Sequence, residues 1–232
     1  MEPSPLQLLN RTVPNKKKTK RPNVIVFVLK FVFGSVALII LPVAVLLRTA
    51  TYLHLYHNVN HWLALACGAF VTAGVLAIYA TLISVKFGGR RKFSTGRLKF
   101  FSVLVIVACV YSLLYTSGAN FKSESVRATY RSLHPLLRMS TAALFLIDAD
   151  AVVTDISRAP GDYARMGLSI NENSLHFEQS DGYVHAIDLR TRGRTGFRNI
   201  IVSGFFRLMG YNSLRHVGTA DHLHISIRNR TG

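Results

Sequence analysis

Residues 174–190 read SLHFEQSDGYVHAIDLR, and residues 221–227 read DHLHISI. Apolar and polar residues roughly alternate in both, and Ser180-Asp181-Gly182 supplies a turn. The pattern predicts a hairpin of Leu175–Gln179 and Tyr183–Arg190, with His222–Ile227 as a further strand. Five residues in these stretches, His176, His185, Asp188, His222 and His224, are potential metal ligands or proton-transfer groups. If residues 181–183 form the hairpin loop, His176 lies opposite Asp188. If residues 180–182 form it, His176 opposes Ala186 and meets Asp188 diagonally. Either register brings an imidazole and a carboxylate within reach of one cation, since opposed Cβ atoms lie about 5 Å apart. His185 is three residues before Asp188, so strand alternation sends it to the other face, and His176 is preferred as the ligand. His222 and His224 share a face, so one can bind a metal while the other handles protons. Two His and one Asp leave a fourth position open on a tetrahedral zinc, the arrangement that catalytic sites use. A lone His is more often a surface or hydrogen-bonded core residue, and it is the combination that points to a metal.

The rest of 119–232 predicts an α+β domain with a small mixed or antiparallel sheet. Apolar spacing predicts a helix over Ser123–Met139, kinked or restarted at Pro135. Ala142–Ile147 and Ala151–Thr154 are expected as short strands, followed by a loop and one or two helical turns over Gly161–Met166. A helix over Asn199–Met209 ends at Gly210, and Leu214–Val217 is another strand. The domain has no cysteine, which excludes a thiolate zinc site and a cysteine nucleophile. No phosphate-binding glycine loop and no Gly-x-Ser-x-Gly elbow is present. Asn10-Arg11-Thr12 and Asn229-Arg230-Thr231 match the glycosylation pattern only by letters.

The first half has another character. Residues 1–118 carry fourteen Lys and Arg against one acid, Glu2, whereas 119–232 carry fourteen against ten. Residues 1–22 form a basic tail. Residues 23–118 hold three apolar segments, about 24–47, 62–85 and 100–117; the first two are long enough to span about 30 Å of hydrocarbon and the third is slightly short of it. Two further spans follow the first segment, which excludes a cleaved signal peptide. Clustered basic residues in the tail and in 86–99 place both in the cytoplasm, and three spans put 119 onward in the periplasm or outside the cell. The expected location is thus the inner (cell) membrane, multi-pass, with the lipid bilayer as one partner. His54, His57 and His61, in the aromatic-rich stretch 48–61, are expected as interface residues. Cys67 and Cys109 are expected as buried thiols. The net charge of +17 is explained by flanks of membrane segments, so nucleic acid is not an expected partner.

Ser174-Leu-His176, followed by Gly182, Ala186 and Asp188, resembles the Ser-x-His-x-x-Gly-x-Ala-x-Asp motif of D-Ala-D-Ala carboxypeptidases. Asp221-His222-Leu223-His224 resembles the Asp-His-x-His end of penicillin-insensitive murein endopeptidases. Both families belong to the LAS group of zinc peptidases, which shares its fold with the hedgehog signalling domain, and the resemblance covers about 150–227. It implies zinc held by His176, Asp188 and His224, with His222 assisting catalysis. Asp221 stands near the position of a base, although its side chain faces away from His222 on a regular strand. His216 is a further candidate. Arg158 resembles an arginine that holds a substrate carboxylate, and Ser174 belongs to the first motif as a substrate-side residue. The implied function is zinc-dependent hydrolysis of peptidoglycan peptide, of D,D-carboxypeptidase or endopeptidase type. The alternative is an inactive zinc-binding module of the same fold that recognises wall peptide or a protein partner. One departure is clear: the family motif has six residues between His and Asp, and this chain has eleven.

Overall fold

The computed structural model describes residues 24–86, 94–114, 117–159, 161–162, 167, 169, 172–218 and 221–227. The expected basic tail, half of the basic loop 86–99 (residues 87–93), most of the turns at 161–166 and both Asn-Arg-Thr tripeptides lie outside them. The chain divides into two units, 1–38 and 39–232. In the first, the described residues are helical from Val24 onward.

Three long apolar helices come first: α1 (Val24–His57), α2 (His61–Lys86) and α3 (Thr95–Leu114). Of these, α2 and α3 are long and apolar enough to cross a membrane. The expected first span, 24–47, falls inside α1 and is not among the helices that qualify, and many of its side chains are outside the described residues. α1 also runs ten residues past the expected end of that span. The connection expected at 48–61 shrinks to three residues, with Asn58 in the left-handed region (φ 53°) and the Asn60 side chain accepting from Trp62 N–H at 2.9 Å. Close approach of α1 and α2 depends on a small residue: a Cβ at Gly68 would lie 2.7 Å from the Leu46 carbonyl. Cys67 and Cys109 are half-buried free thiols.

Beyond residue 117 the chain is α+β. A single 3-10 turn (Gly118–Asn120), helix α4 (Glu124–Ala128) and a second 3-10 turn (Thr129–Ser132) precede α5 (Pro135–Ile147). The helix expected over Ser123–Met139 is therefore broken before Pro135. Proline suits the first turn of a helix because its missing N–H has no partner to lose there, and His134 caps the new start by accepting from Leu136 N–H at 3.3 Å. The strand expected at Ala142–Ile147 is the end of α5. That apolar run is ambiguous in isolation, but it continues a buried stripe of Leu136, Leu137, Met139, Ser140, Ala143 and Leu144.

Four antiparallel strands follow, β1 (Val153–Asp155), β2 (Ala186–Arg190), β3 (Asn212–His216) and β4 (His222–Ser226), in the order β1-β2-β4-β3. Helix α6 (Gly196–Met209) connects β2 to β3. It is capped by Thr195 and ends at Gly210, whose φ of 105° places it in the left-handed region that glycine adopts most readily. Ile187, Leu189, Leu223 and Ile225 lie in one buried cluster with Val202, Phe206 and Met209 of α6 and with the α5 stripe. Each fully buried aliphatic or aromatic side chain of this kind contributes about 1.5–3 kcal/mol. Alternation along β2 and β4 then leaves Asp188, His222 and His224 on the other face of the sheet.

Ties between the helices and this domain are polar as well as apolar. Thr51 Oγ1 donates to the Met209 carbonyl at 2.5 Å, and Ser140 Oγ bonds Tyr211 OH at 2.9 Å. His134 is fully buried, and burial, then the charges of His185, His54 and His61, push its pKa down to about 2. The unfolded chain takes up a proton near 6.5 that the folded chain refuses, so stability is present above that pH and is lost as the pH falls through it. The slope for one such group is at most about 1.4 kcal/mol per pH unit. Melting of the full chain in detergent with a chelator should therefore move to lower temperature between pH 6.5 and 4. In His134→Asn, which keeps a cap acceptor but cannot titrate, the same series should be flatter.

Candidate metal centre

Strand β2 carries the carboxylate. Asp188 opposes His224 on β4 directly, and His222 opposes both Arg190 on β2 and His216 on β3. One face of the sheet thus gathers Asp188, His222, His224 and His216. Asp188 is only 2% exposed, so its charge requires partners.

His176 comes from elsewhere. The stretch expected as the first hairpin strand is not one. Glu178 forms an isolated bridge with Val184, and Gly182, in the left-handed region (φ 80°), donates to the Gln179 carbonyl at 2.9 Å. The hairpin turn is real, but β2 pairs with β1 and β4, not with 175–179. His176 sits on a tight turn in which Phe177 N–H donates to the Ser174 carbonyl. Ser174 Oγ accepts from His176 N–H at 3.3 Å and the residue is buried. Ser174, expected on the substrate side, here positions the backbone of His176. The turn lies along the segment after β1, where Arg158 N–H donates to the His176 carbonyl.

Three ligand atoms converge. His176 Nε2 is 3.3 Å from His224 Nδ1 and 3.3 Å from Asp188 Oδ1, and His224 Nδ1 is 2.9 Å from Asp188 Oδ1. Ligands bound to a tetrahedral zinc at its usual bond lengths are spaced about 3.3 Å apart. His176 Nδ1–H donates to the Ile156 carbonyl at 2.6 Å, which leaves the Nε2 lone pair for a cation. The donor set therefore fits a zinc-type ion. The structure brings together the three residues that the motifs nominate. It places His185 apart, its Nε2 bonded to Asp181 Oδ2 at 2.9 Å.

The second oxygen of Asp188 meets Arg158 Nη2 at 2.9 Å, and Arg158 Nε bonds Asp155. A register shift in β1 sets Asp155 opposite Asp188, so the arginine neutralises two carboxylates that face each other across the sheet. Arg158 was expected to meet a substrate carboxylate. Its fork is instead engaged by two residues of the chain itself. Burial tends to raise the Asp188 carboxyl, but hydrogen bonding with His176 and His224, and the charges of His176 and His222, hold it below the usual carboxylate range.

His222 Nε2 is 3.6 Å from Asp188 Oδ2, and its ring stacks on His216 at 4.9 Å. Its side chain is 24% exposed and that of His224 22%, against 3% for Asp188. The centre is closed on one side and open on the other. Asp221 is different. Arg215 grips both of its oxygens, at 3.0 and 2.7 Å, and Thr191 donates to it at 2.7 Å. Those bonds hold its pKa down to about 2, too low for an effective base at neutral pH. The expectation that Asp221 is catalytic is corrected: it fixes the start of β4. Asp155 and the Ile156 carbonyl support the centre, Arg215 holds Asp221, and none of the three was anticipated, since none lies in a motif.

Comparison with protein-family models, with curated proteins and with solved structures finds no match for the chain.

Asp188→Ala and His224→Ala should each lower zinc affinity by at least about 100-fold in competition with a chromogenic chelator. Asp221→Asn should leave it within about threefold, because Asp221 touches no ligand. Losing a ligand removes a bond to the ion, whereas loosening the β4 start does not.

Proposed function

We propose that the chain is a membrane-anchored, zinc-dependent peptidase that hydrolyses peptide of the cell wall. The observation that carries this reading is the tetrahedral spacing of His176 Nε2, His224 Nδ1 and Asp188 Oδ1, with His222 beside them on the open side. The resemblance of Ser174–Asp188 and Asp221–His224 to LAS zinc peptidases names the substrate class.

Zinc, when bound, would supply Lewis acidity toward water and toward an amide carbonyl. The side chains do the rest. Asp188 and His176 anchor the closed side, and Arg158 holds the Asp188 carboxylate in orientation through its second oxygen. His222 stands where it can accept a proton from attacking water and return it to the leaving amine. His216, stacked on His222, restricts the rotation of that ring.

The membrane assignment rests on α2 and α3 by length and composition, with α1 as a third span from its sequence. The turn between α1 and α2 meets the domain through His61, whose ring lies 5.2 Å from Tyr183. That end is the one the charge pattern of the loops places outside the cytoplasm, in the compartment of the wall.

A second reading has one observation in its favour: Asp221 is locked by Arg215 and Thr191. Under it the domain binds zinc and wall peptide without cutting. Purified full chain in detergent, loaded with zinc and incubated with murein, separates the two by mass spectrometry of released muropeptides. The peptidase reading expects cleavage that a chelator stops and that His222→Ala lowers by about 100-fold or more. Absence of cleavage on several murein chemotypes by zinc-loaded protein supports the binding module.

A further inference from the structure

A second group of histidines lies away from the centre just described, where α1, α2, α5 and the 179–183 turn meet. Ligand atoms of His61, His134 and Asp181 all lie within 4.8 Å of one another. His61 opens α2, His134 caps α5, and Asp181 occupies the turn before β2. His61 is 8% exposed and His134 not at all. The Nε2 atom of each is buried without a hydrogen-bond partner. Two such nitrogens in one place are costly, because each has lost water and gained no hydrogen bond.

We propose that His61, His134 and Asp181 form a second divalent-cation site, suited to zinc, that fastens the head of α2 and the start of α5 to the turn before β2. Imidazole with carboxylate is a donor set that zinc accepts. The carboxylate is oriented for it: Tyr183 N–H donates to Asp181 Oδ1 at 3.1 Å, and His185 Nε2 is 2.9 Å from Oδ2. His134 Nε2 already lies 3.6 Å from that same Oδ2. Binding at His134 Nε2 moves the ring proton to Nδ1, so the 3.3 Å contact from Leu136 N–H is given up. That contact is long, and two buried, unpartnered nitrogens gain a partner in exchange. The rings of His61 and His134 are 4.9 Å apart and steeply inclined, at 70°, so they meet edge to face and do not stack.

Its role is structural. A cation there joins three segments distant in sequence, and removing it should loosen the helices from the domain while leaving the first centre in place. The site does not depend on the peptidase reading, and the test distinguishes failure of one from failure of the other.

Full chain purified in detergent is saturated with zinc, freed of excess, and assayed for metal by mass spectrometry. Two ions per chain are expected. Asp181→Asn and His61→Gln should each retain one, Asp188→Asn should retain one, and Asp181→Asn with Asp188→Asn should retain none. Melting temperature should fall on removal of the second ion in the wild type, and should not respond to zinc in Asp181→Asn once the first centre is filled. One ion in the wild type, lost in Asp188→Asn and kept in Asp181→Asn, overturns the second site and leaves the first. One ion lost in Asp181→Asn and kept in Asp188→Asn supports the second site and sinks the first. Should His61→Gln fail to fold, the Asp181→Asn count decides alone, since an exposed turn residue is replaced by an isostere.

Discussion

Asp188 is a carboxylate with almost no access to water, set opposite a second carboxylate. Such a group is tolerated only when it is paired on every side. Arg158 joins it to Asp155 across a shifted register, and His176, His222 and His224 surround its remaining lone pairs. Everything in the sheet follows from satisfying this residue. β4 must pair with β2 in the register that puts His224 opposite it, and β1 must slip so that Arg158 reaches it. A shift of one residue in the β2–β4 pairing would send the histidines to the apolar face and the leucines to the open one. Breaking a buried pair of this kind costs about 3–5 kcal/mol, because a charge is left uncompensated. The metal reading and the folding requirement are therefore the same constraint seen twice.

The candidate cluster of Asp188, His222 and His224 was legible because it lies in compact motifs with period-two spacing. His222 and His224 had to share a face, and Asp188 had to oppose His185 in direction. The position of His176 was not legible in the same way. A hairpin predicted it across from Asp188, yet it arrives on a turn held by Ser174 and the Ile156 carbonyl. Alternation in 175–179 was too short to decide between a strand and a turn. The roles of Arg158 and Asp221 were misplaced for a common reason. Each was assigned by position in a motif, whereas its partner, Asp155 in one case and Arg215 in the other, is set by sheet pairing that a motif does not encode. Ala142–Ile147 failed as a strand because its helical stripe begins upstream, at a cap whose proline looked like an interruption.

The eleven residues between His176 and Asp188, five more than the motif it resembles, were the weakest point of the sequence resemblance. The structure gives them a place. They include the Gln179–Tyr183 turn, which closes without disturbing His176 or Asp188, because His176 is fixed from the β1 side and Asp188 from the β4 side. Extra length is thus absorbed where loop closure is cheap. The same turn carries Asp181 outward to His134 and His61.

Histidines on one short segment consequently serve two places. His185 lies three residues from Asp188, so its ring leaves the sheet in the other direction and meets His134 at 5.1 Å, while Asp188 meets His176 and His224. Period-two alternation converts a single run of chain into supports for two clusters. The first has Asp188, His222 and His224 on the sheet, where pairing register fixes them, and takes His176 from a turn tied to the segment after β1. The second draws its members from the heads of two helices and a turn, so its geometry depends on how the helices dock. An ion at the second cluster would supply through bonds the precision that the first obtains from its backbone ladder. The difference follows from where the ligands sit: strands position side chains through many hydrogen bonds in common, whereas the ladder beside the second cluster is two bonds long, Val184 N–H to the Ser132 carbonyl and His134 N–H to the Val184 carbonyl, so a common ligand adds more there.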